Sequence, residues 1–211
     1  MIIRPELMAL RADDSPQRQI QQRLVAQSNA WRSTGEGAAI EAELLRLAAG
    51  APLIDLPVLR ALFDPGSDAA GRLAGGAVDW LAGELAGAPL GQVPLRHQYD
   101  RTLATLVLAW CHGASLVLQA IDGAGLALKP PAQSVTFSAN EQWERVLAGA
   151  AEVDQVRIIE RQPTGVTLTR SGAFLVAGTV GPVGAMVANL TPLAIHGSAF
   201  ATLTLANNLI G

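Results

Sequence analysis

The 211-residue sequence predicts an α+β fold in which an N-terminal helical segment packs on a C-terminal antiparallel β-domain, a sandwich or partly open barrel. Three observations carry that expectation. Charge is concentrated early, with 22 of the 33 charged residues falling within 1–101. Apolar residues recur at helical spacing through the first half, then give way to β-rich and alternating runs. The last charged residue is Arg170, and 171–211 contains no Asp, Glu, Lys or Arg, as expected of strands covered by protein rather than water. The predicted divisions are a helical region over 1–87, a linker over 88–95, and a β-domain over 96–211 with one helix near 141–150.

Each helix has its own signals. Ser15-Pro16 sets a capping hydroxyl before a first-turn proline, and Ile20, Leu24 and Trp31 then share a face. A second helix over 36–49 turns Ile40, Leu44 and Leu47 inward and ends at Gly50. A third over 56–63 stops at Asp64-Pro65-Gly66. Ser67 caps a fourth, whose apolar stripe is Leu73, Ala77, Trp80 and Leu81. Its Gly71, Gly75, Gly76 and Gly83 each cost up to about 1 kcal/mol relative to Ala, so close packing against a neighbour is expected there.

The second half reads as strands. Runs 102–110 and 115–121 flank Cys111-His112-Gly113-Ala114 as a hairpin, and apolar residues on both faces of the first mark it as central. A strand is expected at 135–138, and a helix over 141–150 carries Trp143, Val146 and Leu147 inward with Glu141, Glu144 and Arg145 on its solvated side. Runs 153–160 and 166–170 form a second hairpin about Gln162-Pro163-Thr164-Gly165, followed by strands at 174–180 and 200–206. Thr202-Leu203-Thr204-Leu205 alternates with period two, sending two leucines one way and two threonines the other.

Composition excludes several functions. The net charge is −3 and no Lys/Arg block is present, so nucleic acid finds no electrostatic footprint. Cys111 is the only cysteine, which rules out an internal disulfide and a thiolate zinc cluster. Five charges within the first fourteen residues interrupt any signal-peptide pattern, so a cytoplasmic protein is expected. Residues 172–195 are long enough to span a membrane, but Gly178, Gly181, Pro182, Gly184, Asn189 and Pro192 inside them argue against a single helix.

The chemistry-bearing candidates are few. His97, Tyr99 and Arg101 share one face of an extended chain, where they would bind an anion or exchange a proton. Adjacent Cys111 and His112 point to opposite faces of a strand, which disfavours a nucleophile pair. His97 and His112 would lie about 50 Å apart on one unbroken strand, too far to share a metal. The glycines of 178–184 are spaced GxxGxxG, not GxGxxG, and no acid follows to meet a ribose, so a turn is expected in place of a nucleotide loop. His196 reads as a hydrogen-bonded core or turn residue. No catalytic, metal or cofactor set emerges.

Two functions fit. One is a non-catalytic assembly component, a homo-oligomer or a protein binder, whose apolar strands within 171–211 pair with a partner. The alternative is a small-molecule-binding domain or enzyme with an apolar pocket inside the β-domain and His97, Tyr99 and Arg101 at its mouth.

Overall fold

The computed structural model describes residues 4–128, 140–162, 165–176, 180–183 and 192–208, with side-chain surroundings for 4–128, 141–150 and 201–207. A short α1 (Pro5–Ala9) leads into α2 (Ser15–Ser33), which starts one residue earlier in its cap than the sequence suggests: Asp14 is the N-cap, and Ser15 N–H donates to Asp13 Oδ1 at 2.9 Å. Leu24 and Ser28 form its buried side. The chain reverses at Gly35, whose φ of +54° suits glycine, and α3 (Gly35–Ala48) begins against the end of α2. Gly37 sits so close to α2 that a Cβ there would lie 2.2 Å from the Trp31 carbonyl oxygen. Gly50, at φ +93°, follows the end of α3 as expected.

A 3-10 turn (Leu53–Asp55) precedes α4 (Pro57–Phe63), whose N-terminus is capped from another helix. Glu43 of α3 is 7% exposed and its two carboxylate oxygens accept the N–H groups of Val58 (3.1 Å) and Leu59 (2.7 Å). Two donors that the helix cannot satisfy itself are thereby paired, and α3 is locked to α4. The fourth expected helix is α5 (Ala69–Ala86), with Ser67 Oγ accepting from Ala69 N–H and Leu73 and Leu81 buried. Its glycines do not mark close packing. A Cβ at Gly71, Gly75, Gly76 or Gly83 would meet nothing within 4 Å, because all four positions face away from the core.

Residues 88–95 contain neither helix nor strand, yet they are fixed against α2. Gln92 N–H donates to Gln21 Oε1, Gln17 Nε2 donates to the Leu90 carbonyl, and Ala88 and Leu95 are buried. Among the described residues seven strands follow, all paired antiparallel: β1 (His97–Tyr99), β2 (Leu103–Cys111), β3 (Ala114–Asp122), β4 (Asn140–Gln162), β5 (Gly165–Val176), β6 (Val180–Val183) and β7 (Pro192–Asn208). Their order is β1-β2-β3-β7-β4-β5, with β6 also on β4. Between β3 and β4 comes α6 (Gly123–Ala127), capped by the Asp122 carboxylate, which accepts from Ala124 and Gly125 N–H.

The expected hairpins are present, with Cys111 opposite Ala114 and Gln162 opposite Gly165. His112 takes the first turn position at φ +48°, a conformation glycine adopts more easily. The strand expected at 135–138 lies outside the described residues. The helix expected over 141–150 is instead the first part of β4. Trp143 and Leu147 are four apart, and four is an even number, so the pair shares a face in a strand as well as in a helix. Pairing decides the matter: Gln142 to Arg145 lie between β6 on one side and β7 on the other.

The helices cover one face of the sheet, and a single core joins the two layers. Ile40, Leu44 and Leu47 of α3, Leu59 and Leu62 of α4, and Leu73 of α5 meet Leu108, Leu116, Leu203 and Leu205 of the strands. A bulge in β2 between Val107 and Ala109 turns both Leu108 and Ala109 into this core. Arg145 faces the same side and donates to the Pro65 and Ser67 carbonyls ahead of α5. Asn207 Nδ2 donates to the Leu47 carbonyl, tying β7 to the end of α3. Residues 201–207 of β7 are paired along both edges, with β3 and β4, within a stretch that carries no charge.

Candidate functional site

The leucines of β7 face the helices, so its threonines face the other way. Thr202 and Thr204 are nonetheless 3% and 4% exposed, as buried as the core. Register extends their face across four strands: Val107, Val117, Thr204 and Glu144 form one row, and Thr105, Gln119, Thr202 and Val146 form the next. A third row places Trp110, Ser115, Ala206 and Gln142 together. One face of the sheet is therefore a leucine core, and the other carries valines interspersed with hydroxyl, amide and carboxyl groups, buried at Thr202, Thr204 and Val146, half-buried over most of the rest and exposed at Trp110.

Glu144 and Thr204 stand directly opposite each other on β4 and β7, where paired side chains start about 5 Å apart. Burial pushes the Glu144 carboxyl above its ordinary value of 4.5, and the Gln142 amide partly opposes that by donating to Oε1 at 2.6 Å. Thr204 Oγ1 is buried with no hydrogen-bond partner among the described residues. A covered hydroxyl without a partner costs about 1–3 kcal/mol, a penalty that an occupant with a matching group would remove. The arrangement can hold a proton on a carboxyl, donate or accept at a hydroxyl, and offer apolar walls at Val107, Val117 and Val146. Among the described residues no cation is placed in these rows, since Arg145 points to the helical side.

The residues singled out from sequence lie elsewhere. His97 and Tyr99 pair with Leu106 and Ala104, which puts them on the helical side of the sheet at its edge strand, and both are exposed. His97 Nδ1 lies 2.8 Å from the Leu95 carbonyl. Arg101 falls beyond the strand, in a turn where Asp100 Oδ1 accepts the N–H groups of Thr102 and Leu103. The three do not share a strand face. His97 and His112 are not on one unbroken strand either: His97 sits opposite Leu106, six residues or about 20 Å from His112 along β2. Cys111 faces the core and His112 is an exposed turn residue. His196 pairs with Ala150 in the ladder, and Gly181-Pro182 lies within β6. No group of three His, Cys, Asp or Glu side chains among the described residues could hold a metal, and no described helix is long and apolar enough to cross a membrane.

Glu144 was missed because the helical reading assigned it to a solvated face. The signal that could have found it was the alternation Gln142, Glu144, Val146 against Trp143, Arg145, Leu147, matched to the threonines and leucines of β7.

Fold and site together define the class: an α+β protein with a helical layer on one face of an antiparallel sheet and a partly buried polar surface on the other. Among solved structures, the chain overlaps CapF in complex with the inhibitor 3-isopropenyl-tropolone at 10% identity and TM-score 0.38, over 57% of this chain and 32% of that one. It overlaps a cupin superfamily protein from Desulfitobacterium hafniense at 12% identity and TM-score 0.32, over 53% and 82%. The formate complex of Lactobacillus farciminis oxalate decarboxylase matches at 14% identity and TM-score 0.35, over 60% and 38%. The chain thus spans about a third of CapF and of the decarboxylase, and at these values the likeness names no activity. No family model and no curated protein matches the chain.

Proposed function

We propose that this protein is a small-molecule-binding domain whose ligand sits on the polar face of the β-sheet, against Glu144 and Thr204. The observation that carries the reading is the buried Thr204 hydroxyl, without a hydrogen-bond partner among the described residues, directly opposite the Glu144 carboxyl, whose pKa burial raises. The carboxyl accepts hydrogen bonds, and the threonine hydroxyl both donates and accepts. The ligand class that fits is small and uncharged, with hydroxyl or carbonyl groups for these two residues and an apolar part for the valines. An anionic ligand would lose its hydration with no described cation to pair with.

Differential scanning fluorimetry against a panel of small alcohols, sugars, amides, carboxylates and amines tests this. The expected result is stabilisation by members of the uncharged hydroxyl or carbonyl set that disappears in Thr204→Val, a near-isosteric change that removes the hydroxyl. Stabilisation confined to charged compounds, or equal in Thr204→Val, would overturn it. So would the absence of any stabilising compound.

A further inference from the structure

β1 stands at one end of the sheet, and all three of its residues are exposed, Tyr99 at 77%. Main-chain groups alternate in direction along a strand, so the bonds at the two ends of β1 show which way each residue faces. The Arg96 carbonyl accepts from Val107 N–H and Asp100 N–H donates to the Leu103 carbonyl, so Arg96, Gln98 and Asp100 face β2. The main-chain groups of His97 and Tyr99 therefore face outward, where no described strand lies. The helical layer stops short of this edge, since both residues stand on its side of the sheet and are still exposed. An open edge of this kind is a template for another strand.

The charges flanking β1 select which strand. Arg96 and Asp100 lie two residues either side of Gln98, are opposite in sign and are both exposed. Gln98 pairs with Thr105 on the polar face of the sheet, and the alternation of the strand puts Arg96 and Asp100 on that face too. Arg96 is positioned there over the Trp110 ring, its guanidinium carbon 5.6 Å from the centroid. Asp100 is positioned by the turn, where its Oδ1 accepts the N–H groups of Thr102 and Leu103. When two identical strands run antiparallel about Gln98, Arg96 of each copy stands opposite Asp100 of the other. Sliding the register by two residues sets Arg96 against Gln98 or Thr102 and loses both pairs, and sliding by one turns the strand over. The segment Arg96-His97-Gln98-Tyr99-Asp100 is thus complementary to itself.

We propose that β1 pairs antiparallel with the β1 of a second copy of this chain about a two-fold axis at Gln98, joining the two sheets edge to edge. His97 of each copy faces Tyr99 of the other as a hydrogen-bonded pair on the helical side, with main-chain bonds exchanged in both directions. On the polar side the two arginine–aspartate pairs flank the contact of Gln98 with its own copy. The strand that pairs is three residues long, so the contact belongs among small interfaces and the dimer forms at high protein concentration.

Sedimentation equilibrium of the full chain, from about 10 μM to about 1 mM, tests this. A reversible dimer is expected, weakened severalfold when salt is raised from about 50 mM to about 500 mM. Arg96→Glu sets like charges opposite each other at both ends and is expected to raise the dissociation constant by about fivefold or more. Gln98→Cys brings two thiols together across the axis at a Cα separation of about 4.5 Å, which a disulfide spans. With oxidised glutathione as oxidant it is expected to cross-link about tenfold faster than Asp79→Cys, an exposed position on α5. Cys111 is common to both variants and contributes equally. A monomer at every concentration would overturn the proposal. So would a dimer indifferent to salt or to Arg96→Glu, or cross-linking of Gln98→Cys no faster than that of Asp79→Cys. Should Arg96→Glu not fold, the cross-linking comparison decides alone.

Discussion

Replacing Glu43 by Ala tests how the helical layer is held together. The wild-type carboxylate accepts two N–H groups at the start of α4, from Val58 and Leu59, and the site is nearly closed to water. Hydrogen bonds to a charged group contribute about 1.5–3 kcal/mol each, and the negative charge at a helix N-terminus adds about 0.3–1 kcal/mol. Water entering the space left by alanine would recover part of that. The expected net loss is about 3–5 kcal/mol, a large share of the roughly 5–15 kcal/mol that stabilises a typical domain. Glu43→Gln keeps one oxygen acceptor but turns an amide toward the second N–H, so about half the loss is expected. Urea unfolding followed by circular dichroism measures both, with the midpoint falling at unchanged slope. A loss below about 1 kcal/mol for Glu43→Ala would refute the reasoning, since a surface residue would lose as little.

Further predictions follow from single positions. Gly71→Ala, Gly75→Ala and Gly83→Ala should each raise stability by up to about 1 kcal/mol, because no neighbour occupies the space a Cβ needs; a lowered melting temperature would contradict this. Gly37→Ala should cost about 1–3 kcal/mol, since its Cβ meets the backbone oxygen of Trp31 and backbone cannot step aside; unchanged stability in urea would contradict that. The raised carboxyl of Glu144 makes a pH prediction. Its contribution is fully present below the unfolded value near 4.5 and is lost as pH rises through the higher folded value, because the folded state keeps the proton longer. Glu144→Gln should remove that part of the pH dependence, and an unfolding midpoint difference that stays constant from pH 4 to 8 would show that burial does not act on this group.

The helical layer was legible because each helix carries local signals: Gly50 ends α3, Asp64-Pro65-Gly66 follows α4, and Ile40, Leu44 and Leu47 point inward as their spacing requires. The threonine–leucine alternation of β7 was equally clear, with Leu203 and Leu205 fully buried on one face. The β4 segment was not, since a four-residue spacing satisfies both periods and its partners on β6 and β7 lie 35 or more residues away in sequence. The site was lost with it. A glutamate looks solvated until its strand partners are known, and Thr204 looks like an outward strand residue until its burial is seen. His97, Tyr99 and Arg101 drew attention as a polar cluster, and local sequence could not reveal that His97 and Tyr99 stand on an exposed sheet edge with Arg101 beyond it.

The central claim is that ligand occupies the sheet face bearing Glu144 and Thr204. It is tested most directly by ¹H–¹³C methyl spectra of the protein with and without the compound that stabilises it most. The account predicts shifts at Thr204, Thr202, Val107 and Val117, with Leu203 and Leu205 on the opposite face unmoved. Shifts confined to the leucine face, or none at Thr204 while the compound is bound, would contradict it.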